Sequence, residues 1–91
     1  MAKEVKMIIT DPVGLYATPV TELVDIIKLF NCHVHLIYDE KEINMKSMMG
    51  VLSLGVPSKA HIIIKADGQD EDTAIETIKN KIVSMNIGEI L

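Results

Sequence analysis

Val5, Met7 and Ile9 alternate with Glu4, Lys6 and Ile8, the period-two pattern of a half-buried strand. Asp11-Pro12-Val13-Gly14 then breaks it with turn-forming residues. From Val20 the spacing becomes helical: Val20, Leu23, Val24, Ile27 and Phe30 share one face, with Asp25 and Lys28 turned away. Cys32, Val34, Leu36 and Tyr38 alternate again as a second strand, with His33, His35 and Ile37 on its other side. Asp39-Glu40 turns the chain into a short third strand around residues 42–44. Ser47 opens a short apolar helix that runs to about Ser53 and is ended by Gly55 and Pro57-Ser58. Ala60 to Ala66 reads as the last strand, and Gly68 marks the next turn. Asp70, Glu71 and Asp72 begin a helix with carboxylates at the positive end of its dipole. Ala74, Ile75, Ile78, Ile82 and Met85 form its buried stripe, and Gly88 is the expected C-terminal stop.

The order βαββαβα predicts an α+β domain. Helices cover one face of a four-stranded antiparallel sheet, and the other face meets water. Ninety-one residues make one small domain, expected to span residues 1–91. Hydrophobic residues make up 48% and aromatics only 3%, so aliphatic side chains must build the core. Cys32 is the one cysteine; it forms no internal disulfide and reads as apolar filling rather than a nucleophile. No basic-then-apolar leader is read, and no apolar run approaches the ~18 residues of a membrane span. A cytoplasmic protein without membrane insertion is therefore expected.

The formal net charge of −4 argues against direct nucleic-acid binding, which draws its affinity from clustered cations on phosphates. All nine basic residues are lysines. Without arginine the chain has no planar guanidinium to hold a phosphoryl group through two parallel hydrogen bonds. No Cys/His or Ser/His/Asp constellation marks an enzyme, and no cofactor is expected.

Two segments carry the functional information: Gly14-Leu15-Tyr16-Ala17-Thr18-Pro19, and Lys46-Ser47-Met48-Met49-Gly50-Val51-Leu52-Ser53-Leu54-Gly55. Together they resemble the HPr family, the small phosphocarriers of the bacterial sugar phosphotransferase system (PTS). The resemblance extends from about Lys3 to Gly88 and implies an HPr-like open-faced sandwich with three helices on one face of the sheet. The family pattern in the first segment is Gly-x-His-x-Arg-Pro, whose histidine carries a phosphoryl group beside the arginine. Here those positions are Tyr16 and Thr18, so the resemblance implies a degenerate phosphocarrier site. The second segment is intact around Ser47, the position of a regulatory serine in Gram-positive members. The nearest logic is that of the catabolite-repression HPr-like members, in which the histidine is also replaced.

The chemistry of the two replacements points one way. An imidazole nitrogen with a free lone pair near neutral pH accepts phosphate as a labile N–P bond. A phenol ionises only near pH 10 and is a poor nucleophile without a base beside it. Losing the arginine also removes the cation that would steady the transferring charge. Thr18-Pro19 still reads as a helix start, with a hydroxyl cap and a proline at the first helical position. Its main-chain N–H groups could hold an anion weakly.

Around Ser47 the chemistry is different. Met48, Met49, Val51 and Leu52 cannot all face inward on so short a helix, and surface methionines make adaptable apolar contacts. A phosphate at a helix N-terminus is electrostatically welcome and would set about two negative charges beside that patch. The resemblance implies phosphorylation of Ser47 by an HPr kinase/phosphorylase and docking through Met48, Met49 and Leu52. It also implies recognition by a catabolite-control transcription repressor, with enzyme I docking a further possibility. The competing reading makes Ser47 only a helix cap.

His33, His35 and His61 read in two ways. They are polar residues of the solvated sheet face, or three imidazole ligands for zinc or nickel should the last strand lie beside the second. The first reading is preferred, and no metal is expected. The leading expectation is thus a regulatory HPr-like module controlled at Ser47. The alternatives are a phosphocarrier using an unorthodox acceptor (Tyr16, Thr18 or another histidine) and a small metal-binding domain.

Overall fold

A computed structural model describes residues 2–91. Eight elements follow one another: β1 (Ala2–Ile9), α1 (Ala17–Ile27), β2 (His33–Tyr38), β3 (Lys41–Asn44), α2 (Met48–Ser53), β4 (His61–Asp67), α3 (Glu71–Ser84) and β5 (Gly88–Ile90). The strands lie in the order β3-β2-β4-β1-β5, and every neighbouring pair is antiparallel. The three helices cover one face.

The periodicities explain what each element buries. In β1, Met7 and Ile9 are sealed from solvent, while Lys6 before them is exposed and Ile8 between them is half-buried. Val20, Leu23, Val24 and Ile27 form the i, i+3, i+4, i+7 stripe by which α1 lies on the sheet. Phe30, expected on the same face, lies past the helix end and is half-buried against the core. In α3 the buried stripe is Ala74, Ile75, Ile78 and Ile82, with Met85 packed at its margin. The core is aliphatic, and no polar or charged residue is buried in it among the described residues. Cys32 belongs to this core. Burial, with the neighbouring Asp70 carboxylate, pushes its thiol up to about 11, so it stays protonated and unreactive at neutral pH.

The four expected strands are present, and a short fifth extends the sheet. Gly88 is not the stop of α3. The helix ends at Ser84, Asn86 takes the left-handed conformation (φ 62°), and Gly88 opens β5 against Ile9. A side chain there could not fit: a Cβ would lie 2.8 Å from Ile82 Cγ2 and 3.0 Å from the Ile8 carbonyl. Ile87, fully packed just before it, anchors the return.

Asp70 also behaves differently from expectation. Its side chain makes no bond to its own helix. The carboxylate instead accepts the N–H groups of Asn31 and Cys32, both at 2.9 Å, and so pins the loop that follows α1. The Asn31 bond, first among its causes, holds the Asp70 carboxyl below its usual 3.8.

Candidate functional site

The two singled-out segments meet on one side of the molecule, where α1 and α2 pack together. Asp11 starts the first by accepting the Val13 N–H on its side chain (2.8 Å) and the Gly14 N–H on its carbonyl (3.0 Å). Gly14 has φ +88°, and a Cβ on it would lie 2.3 Å from the Val56 carbonyl oxygen. Only glycine meets both demands. The Leu15 N–H donates to that same Val56 carbonyl at 3.0 Å, so the loop before α1 is fastened to the loop after α2. The frame of the first segment is intact.

Its side chains do not form a phosphoryl site. Tyr16 is the N-cap of α1 in extended conformation, makes no side-chain capping bond and is 39% exposed. Thr18 is not the expected cap. It sits at the second helical position, exposed, and Pro19 occupies the third rather than the first. Proline is tolerated there because the first-turn N–H groups lack partners within the helix. The hydroxyl that does bond nearby is that of Thr21, which donates to the Ala17 carbonyl at 2.8 Å. The first turn of α1 holds no acidic residue to serve as a base for the phenol.

The Ser47 segment is ordered by its own chemistry. The Ser47 N–H donates to the Asn44 carbonyl at 3.0 Å, and its Oγ accepts the Gly50 N–H at 3.1 Å. This is the N-cap that the sequence predicts. Of the apolar residues that follow, Val51 is buried, Met48 and Leu52 are half-buried, and Met49 is 77% exposed. Met48 reaches α1, with its Sδ 3.6 Å from Thr21 Oγ1. A capped serine, an exposed methionine and the first turns of α1 therefore share one surface. Val13, 67% exposed in the loop before α1, adds a further apolar side chain that the sequence reading did not single out.

The histidines are not brought together. β4 does lie beside β2, but the register pairs His33 with Asp67 and His35 with Lys65. His61 faces Ile8 of β1, six residues and about 20 Å along β4 from Asp67. His35 Nδ1 is 3.8 Å from Glu42 Oε2, which Lys65 Nζ also approaches at 3.9 Å. No group of three metal-ligating side chains forms among the described residues. A shallow hollow of about 400 Å³ on this open sheet face, bordered by Lys6, Ile37, His61 and Leu91, contains none of the residues of the α1–α2 surface. No described helix is long and apolar enough to cross a membrane.

Comparison with known proteins matches this geometry to one family. The family model described as the PTS HPr component phosphorylation site matches residues 3–84. The phosphocarrier protein HPr of Mycoplasma capricolum is 40% identical over 76 residues, covering 84% of this chain and 85% of its own length. The solved histidine-containing phosphocarrier protein of a mycoplasma superposes with a TM-score of 0.91 at 35% identity, covering 93% of this chain and 97% of that one. The catabolite repression HPr of Bacillus subtilis is also similar, with a TM-score of 0.68 at 30% identity over 90% of this chain and 95% of that one. HPr phosphocarrier proteins are not enzymes in the catalytic sense. A chain matched over residues 3–84, with the fold in place, belongs to the HPr family of the phosphotransferase system.

Proposed function

We propose that this HPr-family chain acts as a regulatory docking module switched at Ser47, and does not carry phosphate on Tyr16 or Thr18. The observation that supports it is the contrast within one surface. The serine cap and its apolar neighbours are kept, while the first turn of α1 offers neither an imidazole nor a cation. On this reading an HPr kinase/phosphorylase transfers the γ-phosphoryl group of ATP to Ser47. The hydroxyl oxygen forms the new P–O bond, the bond to ADP breaks, and the hydroxyl proton passes to a base on the kinase. Phosphoserine then puts about two negative charges beside Met48, Met49 and Leu52. A partner that buries those methionines in a purely apolar pocket is repelled, and one that sets cations beside the pocket is recruited. A catabolite-control transcription repressor fits the second description. Enzyme I, if it docks here, finds no acceptor.

The test is phosphorylation from two donors in parallel: ATP with an HPr kinase, and phosphoenolpyruvate with enzyme I, each product mapped by mass spectrometry. ATP-dependent label confined to Ser47, with none from enzyme I, is the expected result. Enzyme I-dependent label on Tyr16, Thr18 or a histidine would replace this reading with that of an unorthodox carrier.

A further inference from the structure

We propose that Lys46 is a positioning residue that sets the Ser47 hydroxyl in register with α1; the inference rests on the reading of Ser47 as a phosphoacceptor. Lys46 immediately precedes the serine, its side chain is half-buried, and its Nζ donates to the Phe30 carbonyl at 2.7 Å. Phe30 lies just past the C-terminus of α1, where carbonyls lack helical partners and the helix dipole is negative. An ammonium group is the natural partner for that carbonyl, and Lys46 reaches it from sixteen residues away.

The other bonds of the turn do not do this. Asn44 holds the turn locally, its Oδ1 accepting the Lys46 N–H at 2.9 Å and its carbonyl accepting the Ser47 N–H at 3.0 Å. Met45 ties the turn to the sheet, through a 2.8 Å bond from its N–H to the Val34 carbonyl and a buried side chain. Only Lys46 links this turn to the end of α1 by a hydrogen bond among the described residues. Its anchor is firm, because the next two N–H groups, of Asn31 and Cys32, are gripped by Asp70. A continuous path therefore runs from the start of α3 through the loop after α1 to the residue beside Ser47.

This matters for phosphoryl transfer because a kinase must grip the α1–α2 surface and receive the hydroxyl in line with the γ-phosphorus. Small displacements of a nucleophile cost rate rather than binding. Lys46 fixes the hydroxyl relative to the helix that carries Thr21 and the Tyr16–Thr18 turn, so its loss should act on kcat. A lysine that itself touched the kinase would act on KM.

The experiment compares wild type, Lys46→Met and Lys46→Arg in ATP-dependent phosphorylation by an HPr kinase. Amide hydrogen exchange is followed on the same three proteins without kinase. Lys46→Met, which keeps the apolar stem and loses the donor, should lower kcat about tenfold with KM nearly unchanged. Lys46→Arg should restore most of the rate. In exchange, Lys46→Met should lose protection at Ser47 and Gly50 while β1 and β4 keep theirs. A stability control, Ile78→Val in α3, should leave kcat unchanged. A rise in KM alone, or unchanged protection at Ser47 and Gly50, overturns the proposal. An unlabelled wild type overturns the Ser47 reading itself, and the exchange data still decide whether Lys46 holds the turn.

Discussion

The helices α1 and α2 pack together, and their N-termini are built by different means. α1 has eleven residues and buries Pro19, Val20, Leu23, Val24 and Ile27, so its packing sustains it without a capping side chain. α2 has six residues and buries only Val51 completely, so it depends on the Ser47 hydroxyl to satisfy a first-turn N–H. The difference explains which chemistry can drift. The Tyr16 carbonyl accepts the Val20 N–H at 3.1 Å, but the side chains of Tyr16 and Thr18 contribute no capping bond to α1, so they can change at little cost to the fold. Ser47 holds a structural post as well as a proposed regulatory one, and its exchange is penalised twice.

The sharpest way to test this contrast is to rebuild the first site. If the backbone frame around Gly14 is intact, Tyr16→His with Thr18→Arg should turn a protein without enzyme I-dependent label into one with clear, acid-labile label. Each single change should give little, because acceptor and cation act as a unit. A double variant that folds and binds enzyme I yet takes no phosphate would show that the two regions differ in more than these side chains.

The apolar side of the Ser47 region should divide by burial. Met48→Asp places a charge in a half-buried contact with α1 and should lower stability by about 1 to 3 kcal/mol in denaturant melts. Met49→Asp should leave the melt unchanged and weaken partner binding at least tenfold in calorimetry, since Met49 is exposed. Equal losses of stability in both would place Met49 in the core and remove it from the docking surface.

The caps separate more finely. Ser47→Ala should cost about 1 kcal/mol and abolish the ATP-dependent label. Thr18→Ala should stay within about 0.5 kcal/mol of wild type, because the threonine caps nothing. A cost at Thr18 matching that at Ser47 would erase the contrast between the two helix starts.

Acid should also affect the two regions unequally. The Asp70 carboxyl is held below 3.8 by the Asn31 N–H, with Cys32 adding to it, so its folded pKa lies under its unfolded one. The stability it contributes is fully present above about pH 3.8 and is lost as pH falls through the lower folded value. Asp70→Asn should therefore be less stable than wild type at pH 7, with the gap closing in acid. In amide spectra taken through that titration, Asn31 and the Lys46–Ser47 pair should shift together while Ala17 and Thr18 stay still. Simultaneous movement of both helix starts would deny the separate path from Asp70 to Ser47.

Much of this was legible in the amino-acid order because it is local. Alternation at Val5, Met7 and Ile9, the 3–4 spacing from Val20 to Ile27, and a serine before an apolar run are relations between near neighbours in the chain. Backbone geometry alone turns them into strands, helices and a cap. The element order, the aliphatic core and the capping of α2 by Ser47 follow from them. The absence of imidazole and guanidinium at Tyr16 and Thr18 needs no structure at all.

What depended on distant partners could only be decided by the fold. The start of α1 moved to Ala17 because the Gly14 turn is fastened to Val56, and that left Thr18 inside the helix with nothing to cap. Asp70 was drawn from its own helix to the N–H groups of Asn31 and Cys32. His61 stands apart from His33 and His35 because strand register, set by the core-facing residues of β2 and β4, slides it to the far end of the sheet. Gly88 became a strand because β1 offered a free edge to a segment of three residues, too short to show any period. The bond from Lys46 to Phe30 joins residues that no spacing rule relates. Periodicity encodes which face of an element is apolar, and only closure of the core determines which element meets it there.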